Sequence, residues 1–173
     1  MTIFYTSDLH LGHSNIIKYC NRPFRDAGHM DAVIIANWNS IVTNNDTIYC
    51  LGDFSFGNHA PYLSRLNGKK ILIKGNHDKN PSITDGWDEV HSYLEIRDAG
   101  KHITLCHYKM EVFNKSHHGS LQFYGHSHGQ LPGNDQQTDV GVDAWEFFPV
   151  PLQDIERRLK ISKPYRQTDF HGK

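Results

Sequence analysis

No apolar run in this 173-residue chain approaches the ~18–20 residues that a membrane-spanning helix needs. The start, Met1-Thr2-Ile3-Phe4-Tyr5-Thr6, lacks the basic residues and long apolar stretch of a secretion signal and reads instead as a strand. Cysteine is scarce: Cys20, Cys50 and Cys106 form no C-x-x-C pair, and an odd number argues against a disulfide framework. Reduced thiols in a cytoplasmic protein are the simplest expectation, with Cys50 and Cys106 as small core residues. An excess of one charge is also missing. A net charge of -1 gives no global basic field to gather nucleic acid, although it leaves room for a local basic patch. With 38% hydrophobic and 21% charged residues, the composition is that of a globular protein, not a disordered one. There is no internal repeat, low-complexity tract or interdomain linker. One domain over 1–163 is therefore expected, followed by a polar, mobile tail over 164–173.

What is abundant is histidine, with 13 in the chain. Imidazole is the commonest metal ligand and titrates near neutral pH, so the placement of these residues decides their work. The apolar pattern predicts a strand over Ile3–Ser7 and a short helix capped by Ser14 and running to Cys20. After a break at Asn21-Arg22-Pro23-Phe24 comes a helix from Met30 to Val42, with Val33, Ile34, Trp38 and Ile41 on its apolar face. Asp46–Leu51 reads as a strand, Pro61–Leu66 as a short helix and Lys70–Lys74 as a strand. Beyond Trp87 the pattern turns to strands: Val90–Arg97 and His102–Cys106 around a turn at Asp98-Ala99-Gly100, then Leu121–Tyr124 and Val140–Trp145. A helix over Leu152–Lys160 closes the pattern. Alternating strands and helices, followed by strands, predict an α/β class fold. The expected architecture is a four-layer α/β/β/α sandwich of two mixed sheets flanked by helices.

Five strand-like runs each end at a polar cluster: Asp8-Leu9-His10, Gly52-Asp53, Gly75-Asn76-His77-Asp78, His107, and Gly125-His126-Ser127-His128. Sites in open α/β sheets form outside the carboxyl ends of strands, where separate loops converge. Gathering two carboxylates, an amide and four imidazoles there is costly unless cations share them.

The ordered blocks D-x-H, G-D, G-N-H-D, a lone His and G-H-x-H resemble the calcineurin-like metallophosphoesterases, over a span from Asp8 to His128. The stretch from Cys106-His107-Tyr108 through Gly119-Ser120 to Gly129 is similar to the small bacterial and phage-type members. The resemblance implies two divalent cations, manganese first, with Fe, Zn, Ni or Co as alternatives; a set rich in imidazole disfavours Mg. It implies Asp8, His10 and His128 on one cation, Asn76, His107 and His126 on the other, and Asp53 bridging them. The reaction implied is hydrolysis of a phosphate ester, a diester before a monoester, through attack by a bridging hydroxide. His77 would act as the acid toward the leaving oxygen, with Asp78 orienting it. The block Gly52-Asp53-Phe54-Ser55-Phe56-Gly57 departs from the G-D-x-V-D-R-G of the serine/threonine protein phosphatases, which argues against that branch.

Each residue also has a plainer account. Asp8 and Asp53 are residue types that cap turns, and Asn76 suits a turn beside Gly75. His13 and Asn76 are candidate substrate contacts, with a bracing or surface place for His13 weighed equally. His117 and His118 are expected in an exposed loop. Arg22 and Arg25 suit a clamp for an anion, but a solvated surface is the expectation. His29, His59, His91, His102 and His171 are read as structural or exposed. The expected partner is a small or nucleotide-like phosphate ester. A nuclease or nucleic-acid end-processing phosphatase is the runner-up, and a non-catalytic scaffold the third reading.

Overall fold

The computed structural model describes residues 1–79 and 85–165. In chain order the elements are β1 (Ile3–Thr6), α1 (Ser14–Tyr19), α2 (Ala27–Ile41), β2 (Thr47–Cys50), α3 (Ala60–Leu63), β3 (Lys69–Ile73) and β4 (Glu89–His91). There follow β5 (Leu94–Asp98), β6 (Lys101–Leu105), β7 (Leu121–Tyr124), β8 (Gln137–Asp139), β9 (Val150–Pro151) and α4 (Leu152–Leu159). One sheet has the order β4-β3-β2-β1-β9 and the other β5-β6-β7-β8. Both are mixed. Strands β1 to β4 run parallel and β9 antiparallel to β1, while β5 is antiparallel to β6 and the rest of that sheet is parallel. This is the α/β class of two mixed sheets with flanking helices that the pattern predicted.

Period-two alternation sends successive side chains of the five-stranded sheet to opposite faces. Phe4, Ile48, Cys50 and Leu72 join Met30, Ile34 and Trp38 of α2 in one core. Tyr5 and Ile73 point the other way and join Ile103, Leu105 and Phe123 of the second sheet, together with Leu152, Ile155 and Leu159 of α4. Tyr5 meets Phe123 edge-on at 4.8 Å, an arrangement favoured by the ring quadrupoles. Each such fully buried large side chain contributes roughly 1.5–3 kcal/mol. With both faces covered, the central strands are rigid supports for the loops at their ends.

Several expected boundaries shift. Helix α2 begins at Ala27, because Asp26 caps it by accepting from His29 N–H at 2.8 Å. Ser14 is the first residue of α1, not its cap; His13 holds the cap position. The predicted strand Val90–Arg97 is two strands. The chain leaves β3's neighbour at His91 and enters the other sheet at Leu94. Val140–Trp145 is not a strand: β8 ends at Asp139, Gly141 forms only an isolated bridge with Ser7, and Val142–Ala144 form a 3-10 turn. The first tail residues are tied down, since Tyr165 N–H donates to Asp135 (2.6 Å) and its hydroxyl to Glu111 carbonyl (2.7 Å). The rest of the tail, with His171, lies outside the described residues. All three cysteines are free, with Cys50 buried and Cys106 half-buried. Among the described residues, no helix is long and apolar enough to cross a membrane.

Candidate functional site

The polar clusters follow β1, β2, β3, β6 and β7, and backbone bonds lace their loops together. Asp8 N–H donates to Gly52 carbonyl and His10 N–H to Asp53 carbonyl, both at 3.0 Å, and Gly125 N–H donates to His107 carbonyl at 2.9 Å. Two glycines are required by close approach: a Cβ on Gly75 would collide with Asp53 Oδ1, and one on Gly125 with Ser7 Oγ and Asp8 Oδ2. Asp8, His10, Asp53, His126 and His128 all hold φ between 49° and 65°. Left-handed backbone costs a non-glycine residue on the order of 1 kcal/mol or more, and such strain concentrates at functional sites.

The candidate ligands fall into two groups, in each of which the ligand atoms lie within 4.8 Å of one another: Asp8, His10 and His128; and Asp53, His107 and His126. In the first, Asp8 Oδ2 accepts from His126 N–H at 2.9 Å, while Asp8 Oδ1 and His10 Nε2 are buried with no hydrogen-bond partner. Burial pushes the Asp8 carboxyl up to about 7 and the His10 imidazolium down to about 3. The His128 ring stacks on His10 at 5.3 Å and donates from Nδ1 to Asp143 Oδ2 at 2.7 Å, leaving Nε2 for the site. Burial works against the charged form of His128, but Asp143 and Asp8 raise its pKa.

In the second group, His107 Nδ1 donates to Leu51 carbonyl at 2.6 Å. Its Nε2 then presents a lone pair, and so do the two oxygens it faces: Asn76 Oδ1 at 3.0 Å and Asp53 Oδ2 at 3.5 Å. Three acceptors converging in this way suit a shared cation or proton. Burial opposes ionisation of Asp53, yet His107 and the His77 N–H hold its carboxyl at about 2. Asp53 Oδ2 also lies 3.7 Å from His10 Nε2, which joins the two groups.

His77 is half-exposed in its side chain, with Nε2 4.0 Å from Asp53 Oδ2 and its ring 5.5 Å from His10. Asp78 does not hold it as expected. The Asp78 carboxylate accepts from the backbone N–H groups of Asp53 (2.8 Å), Gly75 (2.8 Å) and Phe54 (3.3 Å), and faces buried His59 at 3.6 Å. Its observed work is to clamp the loops after β2 and β3 together. His13 stacks on Phe56 at 5.1 Å and lies 5.6 Å from His10, at the edge of the candidate ligands. His117 and His118 sit against each other on an exposed 3-10 turn, and Asn76 points to His107.

Arg22 corrects the expectation of a solvated surface: its side chain is fully buried. It forms a two-pronged pair with Asp143 at 2.8 and 2.7 Å and donates to the Leu9 and Asp8 carbonyls at 2.9 and 2.7 Å. Arg25 remains exposed. The Arg22–Asp143–His128 chain was missed from sequence, as was Asp139. Asp139 accepts from Ser127 Oγ and from the N–H groups of Gly129 and Gly141, which holds the His126–His128 loop. A cleft of about 160 Å³ opens over the site between His10, His13, Phe56, His77 and Asp78. A larger groove of about 540 Å³, lined by Phe4, Trp145, Phe148 and Arg158, holds none of the candidate ligands.

The protein MJ1445 of Methanocaldococcus jannaschii is 30% identical, over 95% of this chain and 94% of its own length. The chain belongs to the MJ1445 family. The gene 66 protein of Mycobacterium phage L5 is 31% identical over 82% of this chain and 86% of its own. The crystal structure of AQ665 from Aquifex aeolicus, a protein of unknown function, superposes with a TM-score of 0.72 and 26% identity, covering 91% of this chain and 98% of its own. It shares the fold of this MJ1445 family member almost end to end. YfcE, a phosphoesterase from E. coli, superposes only at a TM-score of 0.44 with 16% identity, over 82% of this chain and 78% of its own. No family model matches the chain.

Proposed function

We propose that this chain is a metal-dependent phosphoric ester hydrolase, acting on diesters before monoesters. The observation that carries the reading is a pair of buried, unpartnered ligand atoms, Asp8 Oδ1 and His10 Nε2, beside a second cluster of acceptors. Leaving such groups unpaired costs several kcal/mol, a cost that a bound cation removes. In this reading Asp8, His10 and His128 hold one divalent cation. Asn76, His107 and His126 would hold another, and Asp53 would serve both. Manganese is the first choice, with Fe, Zn, Ni or Co as alternatives. Cations held there would neutralise charge on a phosphate and make a water acidic enough to serve as nucleophile.

The chain's own residues do the rest. His107 and His128 are fixed in the ligand tautomer by Leu51 carbonyl and Asp143. His77 projects into the open cleft, where Nε2 can give a proton to the departing alkoxide. Asp78 acts on the site by clamping the loops after β2 and β3. His13 and Asn76 are the candidate substrate contacts in this reading.

The test is hydrolysis of mono- and bis-(p-nitrophenyl) phosphate by chelated protein, with each of these metals added back. Loss of turnover on chelation and its return with manganese are expected. Turnover that survives chelation overturns the metal mechanism, and no turnover with any metal overturns the reading in favour of the non-catalytic scaffold.

A further inference from the structure

Of the four exposed phenylalanine, tyrosine or tryptophan side chains among the described residues, three stand against the candidate site: Tyr19, Phe56 and Tyr108. A single exposed aromatic needs no explanation, but a rim of them around polar ligands does. Phe56 is 71% exposed, lines the cleft and stacks face-on with His13, whose other neighbours are Tyr19 at 6.4 Å and His10 at 5.6 Å. Tyr108 is 46% exposed and meets His126 at 4.9 Å and His107 at 5.0 Å. One aromatic face therefore adjoins the Asp8 group and another adjoins the Asp53 group. Phe56 lies face-on against one imidazole and Tyr108 meets two at steep angles, and both rings are exposed to solvent. Exposed Lys18 and half-buried Lys109 adjoin Tyr19 and Tyr108 in the chain.

A phosphate site flanked by two open aromatic faces matches a nucleotide chain, in which a charged phosphodiester lies between two planar bases. Bases stack on such rings with little regard to sequence. We propose that Phe56 and Tyr108 are specificity-determining residues that stack nucleobases on either side of the scissile phosphate, so that the substrate is a single-stranded nucleic acid or dinucleotide. This deepens the phosphoesterase reading and rests on it.

The test separates base from phosphate, and binding from turnover. Calorimetry compares a short phosphorothioate-linked oligothymidylate with an abasic oligomer of equal phosphate number, both resistant to hydrolysis, with manganese present. The base-bearing oligomer should bind about 100-fold more tightly, the equivalent of two stacked bases at about tenfold each. Phe56→Ala with Tyr108→Ala should bring the two within about twofold, and Phe56→Tyr should restore the preference, because the ring is kept. Both positions are exposed, and an unchanged circular dichroism spectrum checks the fold. Equal affinities in the unaltered protein, binding of neither oligomer, or a preference that survives the double substitution overturns the proposal. A base-dependent affinity in a protein that hydrolyses no ester would instead sink the phosphoesterase reading alone.

Discussion

The two halves of the site are built differently. In the first, two of the three ligand candidates are braced from behind: Asp8 by the His126 N–H, and His128 by Asp143, which is itself held by fully buried Arg22. In the second, His107 rests on a single backbone carbonyl, and the His126 side chain is exposed. The first half is preorganised around groups that are costly to leave alone, and in the second buried Asp53 and His107 stand beside the exposed His126. On the proposed metal-dependent reading, the first half would then hold its cation more firmly than the second, and substitution tests the difference.

The largest effect is expected at Asp53, which faces His107 at 3.5 Å and His10 at 3.7 Å. Asp53→Asn should lower turnover by at least about 10³-fold, several kcal/mol of lost charge stabilisation. Titration of manganese followed by calorimetry should show both cations weakened. Weakening of one alone would make the halves independent sites. Next is Asp143→Ala, which removes the brace from His128 and leaves the Arg22 charge buried and unpaired. Denaturant unfolding should show a loss of about 3–5 kcal/mol. Affinity for one cation should fall about 10–100-fold, while the other is unchanged. Equal loss of both would erase the asymmetry.

The strand-tip clusters were legible because each follows an apolar run and each needs a small or polar residue to turn. Gly75 and Gly125 even mark where Asp53 and Asp8 press close. Asp143 was not legible. It lies in Val140–Trp145, whose apolar residues read as a strand, and only the fold brings it to His128 across 15 positions. Arg22 looked like surface because nothing local shows that its loop folds back onto the carbonyls of Asp8 and Leu9. The split of Val90–Arg97 was equally hidden. The change of sheet between His91 and Leu94 occurs at Ser92-Tyr93, without a glycine or proline to announce it. The three amides that Asp78 reaches in space were hidden too, because sequence shows only its adjacency to His77.

The smallest expected effect sharpens the same comparison through protons. A ligand must shed its proton before a cation can bind, so affinity falls with pH below the pKa of each protonated ligand. In the first half, burial places Asp8 at about 7, and His128 is raised above its ordinary value by Asp143 and Asp8 despite its own burial. His10, held at about 3, carries no proton to displace near neutrality. In the second half, Asp53 is already ionised at about 2, and burial lowers His126. There only His107 is raised, by Asp53 and Asp8 against the effect of its burial. The first half thus displaces one more proton than the second on taking up a cation near pH 6. Between pH 7.5 and pH 6 its affinity should fall roughly tenfold further than that of the second half, the effect of one extra group titrating near 7. Calorimetric manganese titrations in buffers of different ionisation enthalpy count these protons directly. Equal proton release from both halves would mean that Asp8 is ionised before the cation arrives, and the buried, unpaired carboxylate would then have found another partner.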